Sequence, residues 1–129
     1  MNIQNIILRS CLVVIIFLCG GCAEKFDKTL LHGNWQVDQF LEADQPKNLD
    51  ISKMGFSFND QNVYTYQSNL KYREAGNYRI EGDYLYSTDT LNNERVEKVV
   101  QISYITKDTL HLTMNNGGIT QKFILHKLK

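Results

Sequence analysis

After Gly33, apolar and polar side chains alternate along almost the whole chain, and no segment there sustains an apolar period near 3.6. Trp35 and Val37 share one parity against Gln36 and Asp38. Met54, Phe56 and Phe58 oppose Gly55 and Ser57, and Leu110, Leu112 and Met114 oppose His111 and Thr113. Period two with one apolar face is the pattern of a half-buried antiparallel strand, and a parallel sheet would need helices that this pattern does not supply. Further strands are expected over Val63 to Gln67, Gly76 to Ile80, Tyr84 to Thr88, Val96 to Ile105 and Gln121 to Leu128. Between them stand Asn59-Asp60, Glu81-Gly82-Asp83, Leu91-Asn92-Asn93, Thr106-Lys107-Asp108 and Asn115-Asn116-Gly117-Gly118, where Asn and Gly accept the positive φ of tight hairpins. Hairpin after hairpin predicts an all-β antiparallel meander of about eight strands, and closing it into a barrel removes the exposed edges of an open sheet. The connection from Glu42 to Ser52, which carries Pro46, is expected to be a loop across one end of that barrel.

Ahead of this pattern lies a segment of different character. Arg9 and the amino group of Met1 precede an apolar run from Cys11 to Cys19, long enough for a signal-peptide core and too short to cross a bilayer as a helix. Gly20-Gly21 suits the narrow site of a signal peptidase, and the Cys22 thiol is the nucleophile there that a diacylglyceryl donor would alkylate. Leu18, Gly20, Gly21 and Cys22 resemble the lipobox of bacterial lipoproteins, with Cys19 standing where that motif usually has Leu. The other reading is an ordinary cleaved secretory signal followed by an incidental cysteine. The resemblance implies a signal peptide over 1–21, an acylated and palmitate-bearing Cys22 with a spacer over 22–32, and a folded domain over 33–129. Several acyl chains hold a protein on a membrane where one holds it marginally. Within the spacer, Thr29 to His32 is expected to make a turn of helix against the barrel mouth.

Charge and cysteine content narrow the function further. Over 129 residues, 14 basic and 14 acidic side chains cancel, and removing Arg9 with the leader leaves the remainder near −1. That balance gives no basic surface for nucleic acid. All three cysteines, Cys11, Cys19 and Cys22, precede the folded part, so disulfides, thiol catalysis and cysteine metal sites are not expected in it. His32, His111 and His126 are scattered, although a final hairpin would bring the last two near each other, and two imidazoles do not make a zinc site. Glu42 with Asp44, and Asp83 with Asp89, fall in or beside turns, and no Gly-rich phosphate loop, Gly-x-Ser-x-Gly or His-Glu-x-x-His is present. The reading is of a monomeric non-enzyme with no cofactor and no metal.

Gly33-Asn34-Trp35 matches the Gly-x-Trp that opens the first strand in lipocalins, and Gly76-Asn77-Tyr78-Arg79-Ile80-Glu81-Gly82-Asp83-Tyr84-Leu85 resembles the middle hairpin of lipocalin-like lipoproteins from Bacteroidetes-type bacteria. The resemblance spans most of Leu30 to Lys129. It implies an eight-stranded up-and-down β-barrel, a place in the bacterial envelope and a role in binding a small molecule or a protein. It further implies a basic side chain of the last strand over Trp35, for which Lys122 and Lys127 are both candidates.

Two functional readings stay open. In the first, the barrel takes a small apolar or amphipathic molecule among inward aromatic and aliphatic side chains, the candidates being Trp35, Phe56, Phe58, Tyr64, Tyr66, Tyr78, Leu110 and Leu112. Trp35 would floor such a cavity or else plug the closed end of a filled core. Tyr64 and Tyr66 share a face, as do Tyr84 and Tyr86, and either set serves equally as an exterior cross-strand ladder, because Phe and Tyr favour strands for their own sake. In the second reading the barrel is filled, and the protein is an inhibitor, immunity factor or accessory subunit. Its contact edge would then be the polar loops Glu42 to Ser52 and Ser68 to Glu74, with Lys71, Tyr72 and Arg73 at the tip.

Overall fold

The computed structural model describes residues 26–68, 71–93 and 95–129, so the leader and Cys22 lie outside the described residues. A single 3₁₀ turn, Lys28–Leu31, is followed by β1 (Gly33–Glu42), β2 (Gln45–Pro46), β3 (Gly55–Phe58), β4 (Val63–Gln67), β5 (Arg73–Glu81), β6 (Tyr84–Asp89), β7 (Glu97–Ile105), β8 (Thr109–Asn116) and β9 (Ile119–Lys127). Every pairing is antiparallel and follows chain order from β3 to β9, and β1 closes the circle by pairing with both β3 and β9. The result is the closed eight-stranded up-and-down barrel, with β2 as a two-residue addition on the upper part of β1. Closure leaves no long free edge.

Two irregularities decide which side chains face inward. Between Val37 and Gln39, β1 carries a bulge in its pairing with β9; β7 has another between Ile102 and Tyr104. A bulge shifts the period-two parity by one residue. After Trp35 and Val37, Phe40 rather than Gln39 therefore packs inward, against Phe123 with ring centroids 5.0 Å apart. Displaced outward, Asp38 meets His126 Nδ1 at 2.6 Å. On β7 the same shift turns Tyr104 outward beside the His111 ring, at 5.0 Å.

The connection after β1 does not cross a barrel end. It turns at Ala43 and Asp44, both with φ near +60° (50° and 61°), and then runs back along β1. Lys47 N–H donates to Phe40 O (3.0 Å), Gln36 Nε2–H to Ile51 O (3.1 Å) and Val37 N–H to Met54 O (2.9 Å). Gln45 to Phe58 is thus one wall strand interrupted by an eight-residue excursion over 47–54, whose polar content reflects its place on the outer surface.

The lower end, where β1 begins and β9 finishes, is sealed by the 3₁₀ turn. Asp27 caps it, its carboxylate accepting from Thr29 N–H (2.9 Å) and Thr29 Oγ1–H (2.7 Å), which holds the carboxyl below its usual range. The turn lies one residue earlier than the sequence suggests and delivers Leu31, fully buried, onto Trp35. Trp35 Nε1–H donates to Leu31 O at 2.8 Å. Lys127 supplies the basic group over the indole, its Nζ 4.9 Å from the ring centroid and 2.9 Å from Leu30 O, to which it donates. Lys122 sits on the opposite parity of β9 from the buried Phe123 and Leu125. Above this plug the lower half of the barrel is filled by Val37, Phe58, Tyr78, Leu85, Ile102, Leu110, Leu112 and Leu125, all buried.

Candidate functional site

The upper half of the barrel is not filled. β1 to β2, β4 to β5, β6 to β7 and β8 to β9 are all joined at that end. A cavity of about 550 Å³ opens there, lined by residues of β3 through β9. This volume lies within the roughly 300–1,000 Å³ of small-molecule sites.

On the side formed by β8, β9 and β3 stand Met114, Phe123 and Phe56, continued by Tyr66 on β4, with Asn115, Asn116 and Gln121 beside them at the top of β8 and β9. Phe56 lies 4.6 Å from Tyr66 and 5.7 Å from Phe123, centroid to centroid, so these rings form one packed apolar wall. On the side formed by β5, β6 and β7 stand Glu74, Ser87 and Lys98, together with Val99 and Val100 of β7. Lys98 Nζ donates to Glu74 Oε1 at 2.7 Å, with the Glu74 side chain 9 % exposed and that of Lys98 47 %. Burial works against the Lys98 charge, but the carboxylate beside it outweighs that and holds its pKa above the ordinary lysine value.

Tyr64 stands between these two sides. Its neighbour across β5 is Gly76, which has no side chain to stop the phenol reaching toward Ser87 on β6. The Tyr64 hydroxyl is buried and has no hydrogen bond of good geometry, although the Ser87 hydroxyl lies near enough to act on it. Burial, then the Glu74 charge, push its pKa up to about 12, with the Ser87 hydroxyl offsetting part of the rise and Asp89 adding to it. Tyr66 is shifted the same way, by burial and by Glu74. Both phenols are therefore neutral donors at physiological pH.

A phenol whose native pKa exceeds its unfolded value favours the folded state only while it is protonated in both. The contribution is complete below about pH 10 and is lost as pH rises toward about 12, because the unfolded chain ionises first. Urea midpoints measured across that window should fall with pH in the wild type, and the fall should be shallower in Tyr64→Phe. An equal slope in both would remove Tyr64 as its source.

Asp89 supports the cavity from behind. It is 1 % exposed, and it accepts from Leu91 N–H (2.9 Å) and, through its second oxygen, from Asn92 Nδ2–H (2.6 Å). Burial raises its pKa, but these hydrogen bonds prevail and hold it below the usual carboxylate value. Asn92 Nδ2–H also reaches Arg73 O at 2.8 Å, and Thr90 N–H donates to Ala75 O at 2.8 Å, so the β6–β7 connection is pinned to β5 at the mouth.

Of the residues singled out by sequence, Phe56, Tyr64 and Tyr66 line the cavity. Trp35, Phe58, Tyr78, Leu110 and Leu112 are in the filled lower half, with Tyr78 Oη–H donating to Asn59 O at 2.7 Å. Tyr84 is exposed, and Tyr86 lies on the outer surface under the Arg79 guanidinium, 4.2 Å from its ring centroid. Glu74, Ser87, Lys98, Met114 and Phe123 were not singled out. The sequence places Glu74 at the end of a polar loop, whereas β5 begins at Arg73; its shared parity with Gly76 and Tyr78 is the signal that sets it inside. Lys98 shares parity with Val100 and Ile102 in the same way. His111 and His126 both face outward, and among the described residues no group of three or more His, Cys, Asp or Glu side chains is placed to hold a metal ion.

Comparison with known proteins agrees with this architecture. No curated protein matches the sequence. Among solved structures, a lipocalin-like protein from Bacteroides uniformis ATCC 8492 superposes with a TM-score of 0.58 at 18 % identity, over 77 % of this chain and 99 % of that one. An uncharacterized protein from Bacteroides eggerthii DSM 20697 gives 0.56 at 15 % identity, over 76 % and 99 % respectively. Residues 31–112 match the sequence model of the lipocalin-like domain, from the plug residue Leu31 to Leu112 of the filled core, and this chain belongs to that family.

Proposed function

We propose that the protein is a lipid-anchored binding module of the bacterial envelope that holds a small amphipathic molecule in the upper half of its barrel. The carrying observation is the cavity of about 550 Å³ with an aromatic cluster and several hydrogen-bonding side chains in its lining, set above a lower half already filled by side chains. Apolar lining with a few placed polar groups is what small-molecule sites share.

The tether reading rests on Leu18, Gly20, Gly21 and Cys22. Its consequence follows from where the described chain starts. Phe26 leads into the 3₁₀ turn at the plugged end, and the four residue steps back to Cys22 span at most ~14 Å. An acylated Cys22 would therefore hold the plugged end near the membrane and direct the mouth away from it. The bound molecule would then exchange with the aqueous side and not with the bilayer that carries the anchor.

Native mass spectrometry of the protein extracted in detergent from the cells that make it tests both parts together. The expected species begins at Cys22, carries the mass of covalent acyl chains, and holds a small non-covalent adduct that leaves on collisional activation. An unacylated chain with another first residue would overturn the anchor. An adduct-free protein with a stoichiometric protein partner would overturn the binding role in favour of a contact function.

A further inference from the structure

We propose that the cavity selects an organic cation, a protonated amine on an apolar body, which it holds by the Glu74 carboxylate and the aromatic rings around it. This rests on the small-molecule reading above and adds the charge of the ligand.

The first observation is the balance of buried charge. Ser87, Asn115, Asn116 and Gln121 make the lining polar but bring no charge, and the Glu42 carboxylate that Gln121 reaches is paired with Lys47. Arg73 stands exposed on the opposite parity of β5 from Glu74. The sign is left to Glu74, Lys98 and the supporting Asp89. Glu74 and Asp89 are 8 % and 1 % exposed, whereas the Lys98 side chain is 47 % exposed, so water screens the ammonium more than either carboxylate. Asp89 is satisfied by Leu91 N–H and Asn92 Nδ2–H, neutral donors that leave its charge in place. One half-solvated cation thus faces two buried anions; burial opposes its charge, and both carboxylates support it.

The second observation is a pair of acceptors with capacity left. Lys98 takes Glu74 Oε1 and, among the described residues, Oε2 accepts from nothing. The Tyr64 hydroxyl, on a residue 4 % exposed that lines the same cavity, is buried without a hydrogen bond of good geometry. Its oxygen can accept an N–H while its proton turns to the Ser87 hydroxyl. An ammonium would satisfy both oxygens, and hydrogen bonds to a charged partner are the stronger kind. Burial and then the Glu74 charge already keep Tyr64 and Tyr66 from ionising, and a ligand carboxylate or phosphate would meet the same opposition.

The third is the aromatic surface. Phe56, Tyr64, Tyr66 and Phe123 all line the cavity, with the Phe56 ring centroid 4.6 Å from that of Tyr66 and 5.7 Å from that of Phe123. Ring faces attract a cation, most strongly where water is excluded. Met114, Val99 and Val100 add apolar surface for the body of the molecule. An alcohol of the same shape would gain the apolar contact without the attraction of charge, and a carboxylate would be repelled.

Fluorescence of the neutral dye Nile red bound to the purified protein supplies the reporter. Its displacement ranks competitors that share one hydrocarbon: 4-phenylbutylamine, 4-phenylbutanol and 4-phenylbutyrate. The amine is expected to displace the dye at about one-tenth the concentration needed for the alcohol, the yield of a charge-assisted hydrogen bond with a ring contact, and the acid to need about tenfold more than the alcohol. Glu74→Gln should bring amine and alcohol within about twofold of each other, a ratio read within one variant and so independent of how much dye it holds. Lys98→Gln keeps a neutral donor beside Glu74 and should widen the ratio about threefold. A wild-type ranking in which the alcohol or the acid matches the amine would overturn the inference while leaving small-molecule binding intact. So would a ratio that Glu74→Gln leaves at its wild-type value or that Lys98→Gln narrows. Failure of the wild-type protein to bind the dye or any competitor would overturn the binding role itself.

Discussion

Trp35→Ala is expected to lower the unfolding free energy by about 4 kcal/mol, the usual scale for removing a large buried ring. The indole is 1 % exposed and joins the 3₁₀ turn just before it to the last strand, at the far end of the chain. Its ring packs on Leu31, its N–H satisfies Leu31 O, and its face carries Lys127, which in turn donates to Leu30 O. Alanine opens a cavity, leaves a buried carbonyl unpaired and removes the surface on which Lys127 rests, so the 3₁₀ plug should loosen with it. Trp35 is the only tryptophan, so urea unfolding has to be followed by far-ultraviolet circular dichroism. The expected result is a lower midpoint at unchanged slope, with faster amide exchange in the plug and not at the mouth. A loss below about 1 kcal/mol would mean that the plug is not held by the indole.

The same residue shows how far the sequence could be read. Alternation around Trp35, Phe56, Leu110 and Leu112, with Asn- and Gly-rich turns between, was enough to indicate a closed meander, because burial on one face repeats every second residue whatever the detailed packing. What alternation does not reveal is where it breaks. The bulges after Val37 and Ile102 change parity through backbone geometry alone, and they decide that Phe40 enters the barrel and Tyr104 leaves it. The cavity was harder to see for a related reason. Its lining includes Glu74 and Lys98, charged types that read as surface, and only their parity with Tyr78 and Ile102 places them inside. Parity would also have separated Lys127, in step with Phe123 and Leu125, from Lys122, in step with Ile124 and His126. The division between filled and open halves depends on side chains from eight strands meeting in space. No local pattern carries it.

The second large effect is expected at Gly76, where the turn-rich hairpin and the cavity wall share one residue. A Cβ there would lie 1.8 Å from Thr88 O and 3.1 Å from Thr90 N. Both are backbone atoms of the neighbouring β6 and its exit, so no flexible side chain can yield. Gly76→Ala must therefore separate β5 from β6, at a cost of about 3 kcal/mol. The displacement should reach the site, because Gly76 pairs with Tyr64 on one side and Asp89 on the other, and Glu74 is two residues away on the same face. Nile red affinity should fall along with stability. Gly82→Ala is the matched comparison. Its Cβ would meet nothing within 4 Å, although its φ of +62° penalises a side chain, so the expected cost is about 1 kcal/mol with dye binding retained. If the two variants lost the same stability, the shared penalty would be backbone conformation alone, and the close approach of β6 to Gly76 would not be what shapes the cavity.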